Sequence, residues 1–535
     1  MPRKVMEELV VVYQIGCPAA EVEGLSRDVA YEQSVELPPE LIQSPHILEN
    51  IVGRVACIKP VEGRADLFRV EIHYAATLVG NQFPQLLNLL FGNISMKRNV
   101  RVVDVHFPPS VLSHFPGPRF GIEGIRQVLG VFDRPLLSTA LKPQGASVAE
   151  LAAMAGEFAL GGGDIVKDDH NLHDATFAAF CERVNRCHEA VAAANARTGG
   201  NTLYFPNIMA PAEELDRQVE FVASRGLPGI LIAPFLMGPD QVRRISQKHP
   251  LIVMAHPTLT GAYFHDPRHG FDPGILLGTL FRLMGCDISI YPHVGGRFTF
   301  AQNDCLKIAD ELRKPHGSLL PAFPAPAGGM KFDTLPALCD VYGTDAVLLI
   351  GGALIGHAPS VREGTAAFLG QIQQKYPGRR IEPQAAMAPA EFVSACEWQA
   401  REIVAAVMQH LPFRDDFRWA GRDPLAYKES NTLPFRDVTR VELIGKTGEA
   451  TAFDLRYFQI EPGGFTSLEK HAHTHTVICV RGEGILRNGD KQFSLKELDV
   501  AYVPPLAVHQ LRNETSQPFG FFCIVDRNRD RPQPV

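Results

Sequence analysis

The ten cysteines of this 535-residue chain include no CxxC pair. Scattered in this way, they suit buried thiols in a reducing compartment, and they argue against a disulfide scaffold or a thiolate zinc site. No stretch reaches the roughly 18 uninterrupted apolar residues that a bilayer span needs. The opening MPRKVMEELVVVYQIG turns acidic early and has no small-residue cleavage site, so neither a membrane anchor nor export is expected. Positive charge is also short: 52 Lys and Arg stand against 59 Asp and Glu, a net charge of -7. That leaves no basic field to collect polyphosphate, so a small substrate is expected rather than a nucleic acid. No low-complexity tract is present. With 45% hydrophobic and 21% charged residues the composition is globular, and the expected location is the cytoplasm.

The length is several times the ~150 residues of a typical domain. Residues 1–133 mix β-like and helical runs (VACIKPVEG, LFRVEIHYAATLV, FPQLLNLLFGNI), which predicts a compact α+β domain. Over 134–415 the texture becomes a repeated unit. Short apolar strands (PLLSTALK, DIVKDD, NTLYFPNI, GILIAPFL, LIVMAHP, DISIYPH, LLPAFPAPAGG, AVLLIGG) end in polar or glycine residues and alternate with amphipathic segments. Near-continuous apolar strands alternating with helices predict a (β/α)8 barrel, with catalytic groups at the strand ends. Further helices are expected at AEFVSACEWQAREIVAAVMQHL. A polar, proline-bearing linker is expected at 416–438 and a small antiparallel barrel at 439–535. The fold class is α/β with an appended all-β module.

The sharpest chemical signal is GGGDIVKDDH, Gly161 to His170. It places Lys167, Asp169 and His170 at a strand end, where aspartate offers a hard oxygen and histidine a nitrogen to a divalent metal. A lysine amine is a poor ligand unless CO2 converts it to a carbamate. This motif resembles the activation motif of ribulose-bisphosphate carboxylase (RuBisCO) and the carboxylase-like (type IV) proteins, GGxDxxKDDE, whose lysine is carbamylated and binds magnesium. Here histidine replaces the final glutamate.

The resemblance continues in order along the first 360 or so residues. LSTALKPQG resembles the family's TxxKPKxG and implies that Lys142 is its proton-transferring lysine, while the second lysine there is Gln144. LIVMAHPTL implies His256 as an active-site histidine, with Pro257 where the family keeps a phosphate-binding arginine. DISIYPHVGG implies His293. The mobile-loop lysine has no clear counterpart, and Arg297 is the nearest cation. FPAPAGGM and LLIGGALIGH resemble the family's phosphate-binding elements and imply that Gly328, Gly329, Gly351 and Gly352 offer N–H groups to one phosphate. AYEQSVELP and LLFGNI resemble N-terminal segments that would make Glu32 and Asn93 the pair reaching across a homodimer, or an assembly of dimers, into a partner's site.

A carboxylase holding a bisphosphate needs cations at both ends and the loop lysine, and this chain lacks them. CO2 fixation is therefore not expected. What remains implies metal-dependent enolisation of a phosphorylated ketose or keto sugar acid, ending in isomerisation of a methylthioribulose phosphate or decarboxylation of an oxo-isoapionate phosphate. The barrel metal would be Mg or another divalent ion.

GFTSLEKHAHTHTVICVRGEG, Gly464 to Gly484, resembles the first cupin motif, and PPLAVHQLRN, Pro504 to Asn513, the second. With a period of two, His471, His473 and His475 are expected on one face of one strand, and the second motif adds His509. Four neutral nitrogens suit Mn, Fe, Co, Ni, Cu or Zn. The cupin is expected to act on the barrel's product. As alternatives, it regulates the barrel as a metabolite-sensing module, or both sites have decayed and the protein only assembles with partners.

Overall fold

The computed structural model describes residues 7–376 except 297 and 299, and 410–534 except 429–433, 446–450, 452, 472, 490 and 527–532. Arg297 and nearly all of the helical stretch expected at 390–411 lie outside them. The chain divides into two compact units, Met1–Gln399 and Ala400–Val535. No described helix is long and apolar enough to cross a membrane.

The first unit opens with a five-stranded sheet. Its central strand Glu8–Gly16 pairs antiparallel with Arg64–Ala75 on one side and Val100–His106 on the other. Along that strand Leu9, Val11, Tyr13 and Ile15 are buried, because alternate side chains point to the face that the helices cover. Tyr13 anchors one helix by donating its hydroxyl to the Leu90 carbonyl at 3.0 Å. The fifth strand is not local: Gly270–Phe271, far along the chain, pairs parallel with Arg101 and Val102. A barrel loop thus completes the N-terminal sheet.

Eight apolar runs form the barrel strands Leu136–Leu141, Ile165–Asp168, Leu203–Phe205 with Asn207–Ile208, Gly229–Ile232, Ile252–Ala255, Ile288–Pro292, Phe323–Ala327 and Val347–Leu349. All pairings are parallel. The third strand closes the ring: Leu203–Phe205 pairs with the second strand and Asn207–Ile208 with the fourth, with a break at Pro206, which has no N–H to give. Inward side chains, among them Leu136, Ile165, Phe205, Leu231, Met254, Ile288, Phe323 and Val347, fill the interior. Ile122, Ile125 and Leu129 of the helix Gly121–Leu129 join this cluster. Asp287 holds the start of that helix by accepting the Phe120 and Gly121 N–H groups at 2.8 and 2.9 Å. One end of the barrel is thereby closed, and the C-terminal strand ends are left for a site.

The second unit is an antiparallel β structure with a core of Val438, Phe458, Ile460, Val477, Leu486, Leu511, Phe519 and Phe521. Part of the stretch expected as a linker is packed on it. Leu425–Ala426 pairs with Thr439 and Arg440, and the Phe417 ring stacks on Tyr457 at 5.3 Å. The polar composition of 416–438 hid these few aromatic and apolar residues, which cover an otherwise open sheet face.

Candidate active site and candidate metal centre

A cavity of about 780 Å³ opens where the barrel strands end, and Lys142, Lys167, Asp169, His170, His256, Gly328, Gly329, Gly351 and Gly352 all line it. Sequence separations of up to 210 positions collapse there because each residue terminates, or directly follows, a strand of one closed ring. Much of the remaining lining is apolar: Leu259, Phe264, Ile290, Phe298, Phe300, Met330 and Leu349. His293 is not among the lining residues. It is buried beside the cavity with neither ring nitrogen hydrogen-bonded, and burial lowers its basicity. Gln144 and the Glu32–Asn93 pair also lie away from it. Asn93 donates its side-chain amide to Glu32 at 2.9 Å on the N-terminal domain surface.

Within the cavity, Lys142 Nζ lies 2.5 Å from Asp169 Oδ2, and Asp169 Oδ1 accepts the backbone and side-chain N–H groups of Asn171, both at 3.1 Å. Burial raises the Asp169 carboxyl, but the Lys142 hydrogen bond, the Asn171 N–H and the Lys167 charge outweigh it and bring the pKa down to about 2. Lys167 is buried, with its ammonium on the Asp168 carbonyl at 3.1 Å. Burial pulls its pKa down to about 8 against the attraction of Asp169, and Lys142 adds repulsion. His256 stacks on His170 with ring centroids 4.0 Å apart. Its Nδ1 lies 2.5 Å from Thr258 Oγ1. Burial, then the Lys167 charge, hold the His256 imidazole well below its ordinary pKa.

Asp168, between Lys167 and Asp169, points the other way. Fully buried, it binds the Arg183 guanidinium and accepts Tyr204 Oη at 2.9 Å and Asn207 N–H at 2.8 Å. Arg183 also reaches Asp174 at 2.8 Å, and Asn207 donates to the carbonyls of His170 and Leu172 at 3.2 and 2.9 Å. The loop carrying Asp169 and His170 is clamped at both ends. The period of two along a strand carries this division, since successive residues of Lys167–Asp168–Asp169 face opposite sides.

Asp169 and His170 alone are too few to hold a metal, and Asp168 is committed elsewhere. A divalent ion fits this cavity only with a third ligand, an anionic one, and Lys167, buried with its pKa lowered, is placed to supply it as a carbamate.

The cavity shares a wall with a second one of about 490 Å³. Phe264, His265 and Phe300 line both, and the smaller cavity also holds Arg101, Asp272 and Asp304.

In the second unit, ring nitrogens of His471, His475 and His509 lie within 4.8 Å of one another. The strand expected to carry all three first-motif histidines is interrupted: Glu469–Lys470 and His475–Arg481 are separate strands. His473 stacks on His471 at 3.7 Å, with its Nε2 3.1 Å from that of His475, and so lies against the three-histidine group. The donor set suits a metal. His471 Nδ1 and His509 Nδ1 face the carbonyls of His473 and Ala507 at 2.8 and 2.9 Å. Such contacts orient imidazoles so that Nε2 is the ligand, and His471 Nε2 is buried with no partner. Burial and the neighbouring histidines keep His475 neutral.

A closed (β/α)8 barrel with ionisable groups and glycines at its strand ends, followed by an all-β module with converging histidines, defines a two-module enzyme architecture. Residues 121–398 match the family model described as ribulose bisphosphate carboxylase large chain, catalytic domain, and residues 456–525 match the cupin domain. The ribulose bisphosphate carboxylase-like protein 1 of Rhodopseudomonas palustris is 38% identical over 68% of this chain and 98% of its own length. The 5-methylthioribulose-1-phosphate isomerase of Rhodospirillum rubrum is 37% identical over 68% of this chain and 96% of its own. The crystal structure of a RuBisCO-like protein from Rhodopseudomonas palustris superposes with a TM-score of 0.63 at 37% identity, covering 70% of this chain and 99% of that one. The chain belongs to the RuBisCO large-chain family, in its RuBisCO-like branch, and carries a C-terminal cupin domain.

Proposed function

We propose that the barrel enolises a ketose bearing a single phosphate without fixing CO2, and that it isomerises a methylthioribulose-type phosphate rather than decarboxylating a sugar acid. One observation carries this reading: the cavity gathers Lys142, Lys167, Asp169, His170 and His256 at one side while much of its remaining wall is apolar. An apolar wall suits a thioether tail. The relative named as a 5-methylthioribulose-1-phosphate isomerase supports the same choice.

Carbamylated Lys167, Asp169 and His170 would hold the divalent ion, Mg or a later metal, which when bound polarises a ketone oxygen and its neighbouring hydroxyl. The chain's own groups move the proton. His256, held as neutral imidazole, can take it from the carbon beside the ketone, and Lys142 can return one to the adjacent carbon. The amides of Gly328, Gly329, Gly351 and Gly352 receive the phosphate. Isomerisation conserves every atom and needs no co-reactant. Glu32 and Asn93 complete the site from a second subunit of a homodimer, and the cupin, loaded with a transition metal, processes the product in a soluble, cytoplasmic enzyme.

Incubation with phosphorylated ketoses in D2O tests the barrel reaction. Deuterium entering a carbon position with no CO2 released is the expected result. Stoichiometric CO2 release from a keto sugar acid phosphate would replace isomerisation by decarboxylation.

A further inference from the structure

We propose that Lys331 is the cation that anchors the substrate's phosphate monoester in the barrel cavity, acting with the amides of Gly328 and Gly329. This rests on the reading that the barrel takes a phosphorylated substrate, and it concerns a residue that the motifs did not single out.

Three lysines line the cavity. Lys142 is committed to Asp169 at 2.5 Å. Lys167 is buried against the Asp168 carbonyl, within the field of Asp169. Lys331 is exposed to the cavity and, among the described residues, forms no ion pair with a carboxylate. Pro257, at the position where the family resemblance calls for an arginine, lines the cavity without a donor. A phosphate monoester carries close to two negative charges at neutral pH. Amide N–H groups orient it but bring no full charge, and against an apolar wall an uncompensated dianion is costly.

The local backbone is built to present this lysine. Gly328 and Gly329 take φ values of +88° and +82°, which glycine adopts at little cost. A Cβ on Gly328 would meet nothing within 4 Å, so that backbone stands in open space at the cavity lining. Met330 is buried. Thr334 then locks the Lys331 backbone, its Oγ1 accepting the Lys331 N–H at 3.3 Å and donating to the Lys331 carbonyl at 3.0 Å. The Phe332 ring is pinned by His357 at 4.4 Å and Phe368 at 5.1 Å. Fixed backbone on both sides and a long, unpaired side chain between them make Lys331 a flexible ammonium on a rigid base, beside two successive amides.

Inorganic phosphate is the probe, titrated calorimetrically into the full-length protein, its Lys331→Met variant and its Lys331→Arg variant. Lys331→Met is expected to weaken phosphate binding about 10- to 100-fold and to raise KM by a similar factor with kcat nearly unchanged, because the charge acts on bound substrate throughout the reaction. Lys331→Arg should keep most of the affinity. An exposed side chain carries little folding risk, and circular dichroism checks it. Equal phosphate affinity and KM in wild type and Lys331→Met would overturn the assignment while leaving the enolisation reading intact, provided the wild type still exchanges deuterium. A wild type that binds neither phosphate nor a phosphorylated ketose would overturn both.

Discussion

Lys142 and Asp169 form an ion pair with Nζ and Oδ2 2.5 Å apart, across the mouths of two adjacent barrel strands. The proton carrier and a metal ligand of the proposed mechanism thus share one short contact. Loading the site would exchange a lysine for a cation at Asp169 and release Lys142 toward substrate.

Lys167 should capture CO2 at unusually low pH. Only the neutral amine reacts, and a pKa of about 8 leaves about a tenth of it neutral at pH 7, against about one part in three thousand for an ordinary lysine. At fixed dissolved CO2, the carbamate signal in a carbon-13 NMR spectrum should rise with pH, and do so at lower pH than for an ordinary lysine, since capture consumes the neutral amine and releases a proton. Lys167→Met should lose that signal and at least about 100-fold in barrel activity. A signal that survives the substitution would remove Lys167 from the metal site.

Arg183→Met should destabilise the barrel strongly. It leaves Asp168 fully buried without its charge partner, a change that costs about 3–5 kcal/mol. Urea unfolding measures it through the midpoint. Asn207→Ala makes a milder companion, since it frees the carbonyls of His170 and Leu172 but keeps the ion pair. It should weaken Mn(II) binding, read by electron paramagnetic resonance, more than it lowers the midpoint.

The cupin histidines should bind a late transition metal independently of the barrel. Metal analysis after dialysis should find about one such ion per chain, and His509→Ala should lower its affinity at least about 10-fold. Barrel deuterium exchange should be unchanged in that variant, while conversion of the barrel's product stops. Continued conversion without metal would favour the sensing role instead.

Mixing two inactive variants tests the proposed shared site. Glu32→Gln and Lys167→Ala place both defects in one of a heterodimer's two sites and leave the other whole. Random exchange in a symmetric dimer should then restore about a quarter of wild-type activity. No recovery after verified exchange would confine each site to one subunit.

The barrel was legible because its strands are covered on both faces and read as unbroken apolar runs, each stopped by a polar residue or glycine. Lys167, Asp169 and His170 followed from one such stop, whereas Lys142 and His256 followed from the resemblance to the carboxylase-like motifs; the closed ring brings all five to one cavity. Gly270–Phe271 was not legible: a two-residue strand has no periodicity, and its pairing depends on a sheet formed 170 positions earlier. His293 carried a strand-end signal too, yet it packs beside the cavity. Strand position fixes where a residue emerges, while neighbouring bulk decides whether its ring reaches the opening. In the cupin the histidine spacing indicated convergence, and His471 and His475 do meet His509, but not from one continuous strand.

The partition of Phe264, His265 and Phe300 between the two barrel cavities makes the enzyme's reach adjustable at very few positions. On one side lies the catalytic cavity with its largely apolar far wall, and on the other a charged alcove with Arg101, Asp272 and Asp304. Trimming one phenyl ring would thin the wall between them without touching a proton-transfer group or a strand. A lineage carrying this scaffold could exchange short apolar substrate tails for long polar ones by a single substitution in a dividing wall, its chemistry left intact.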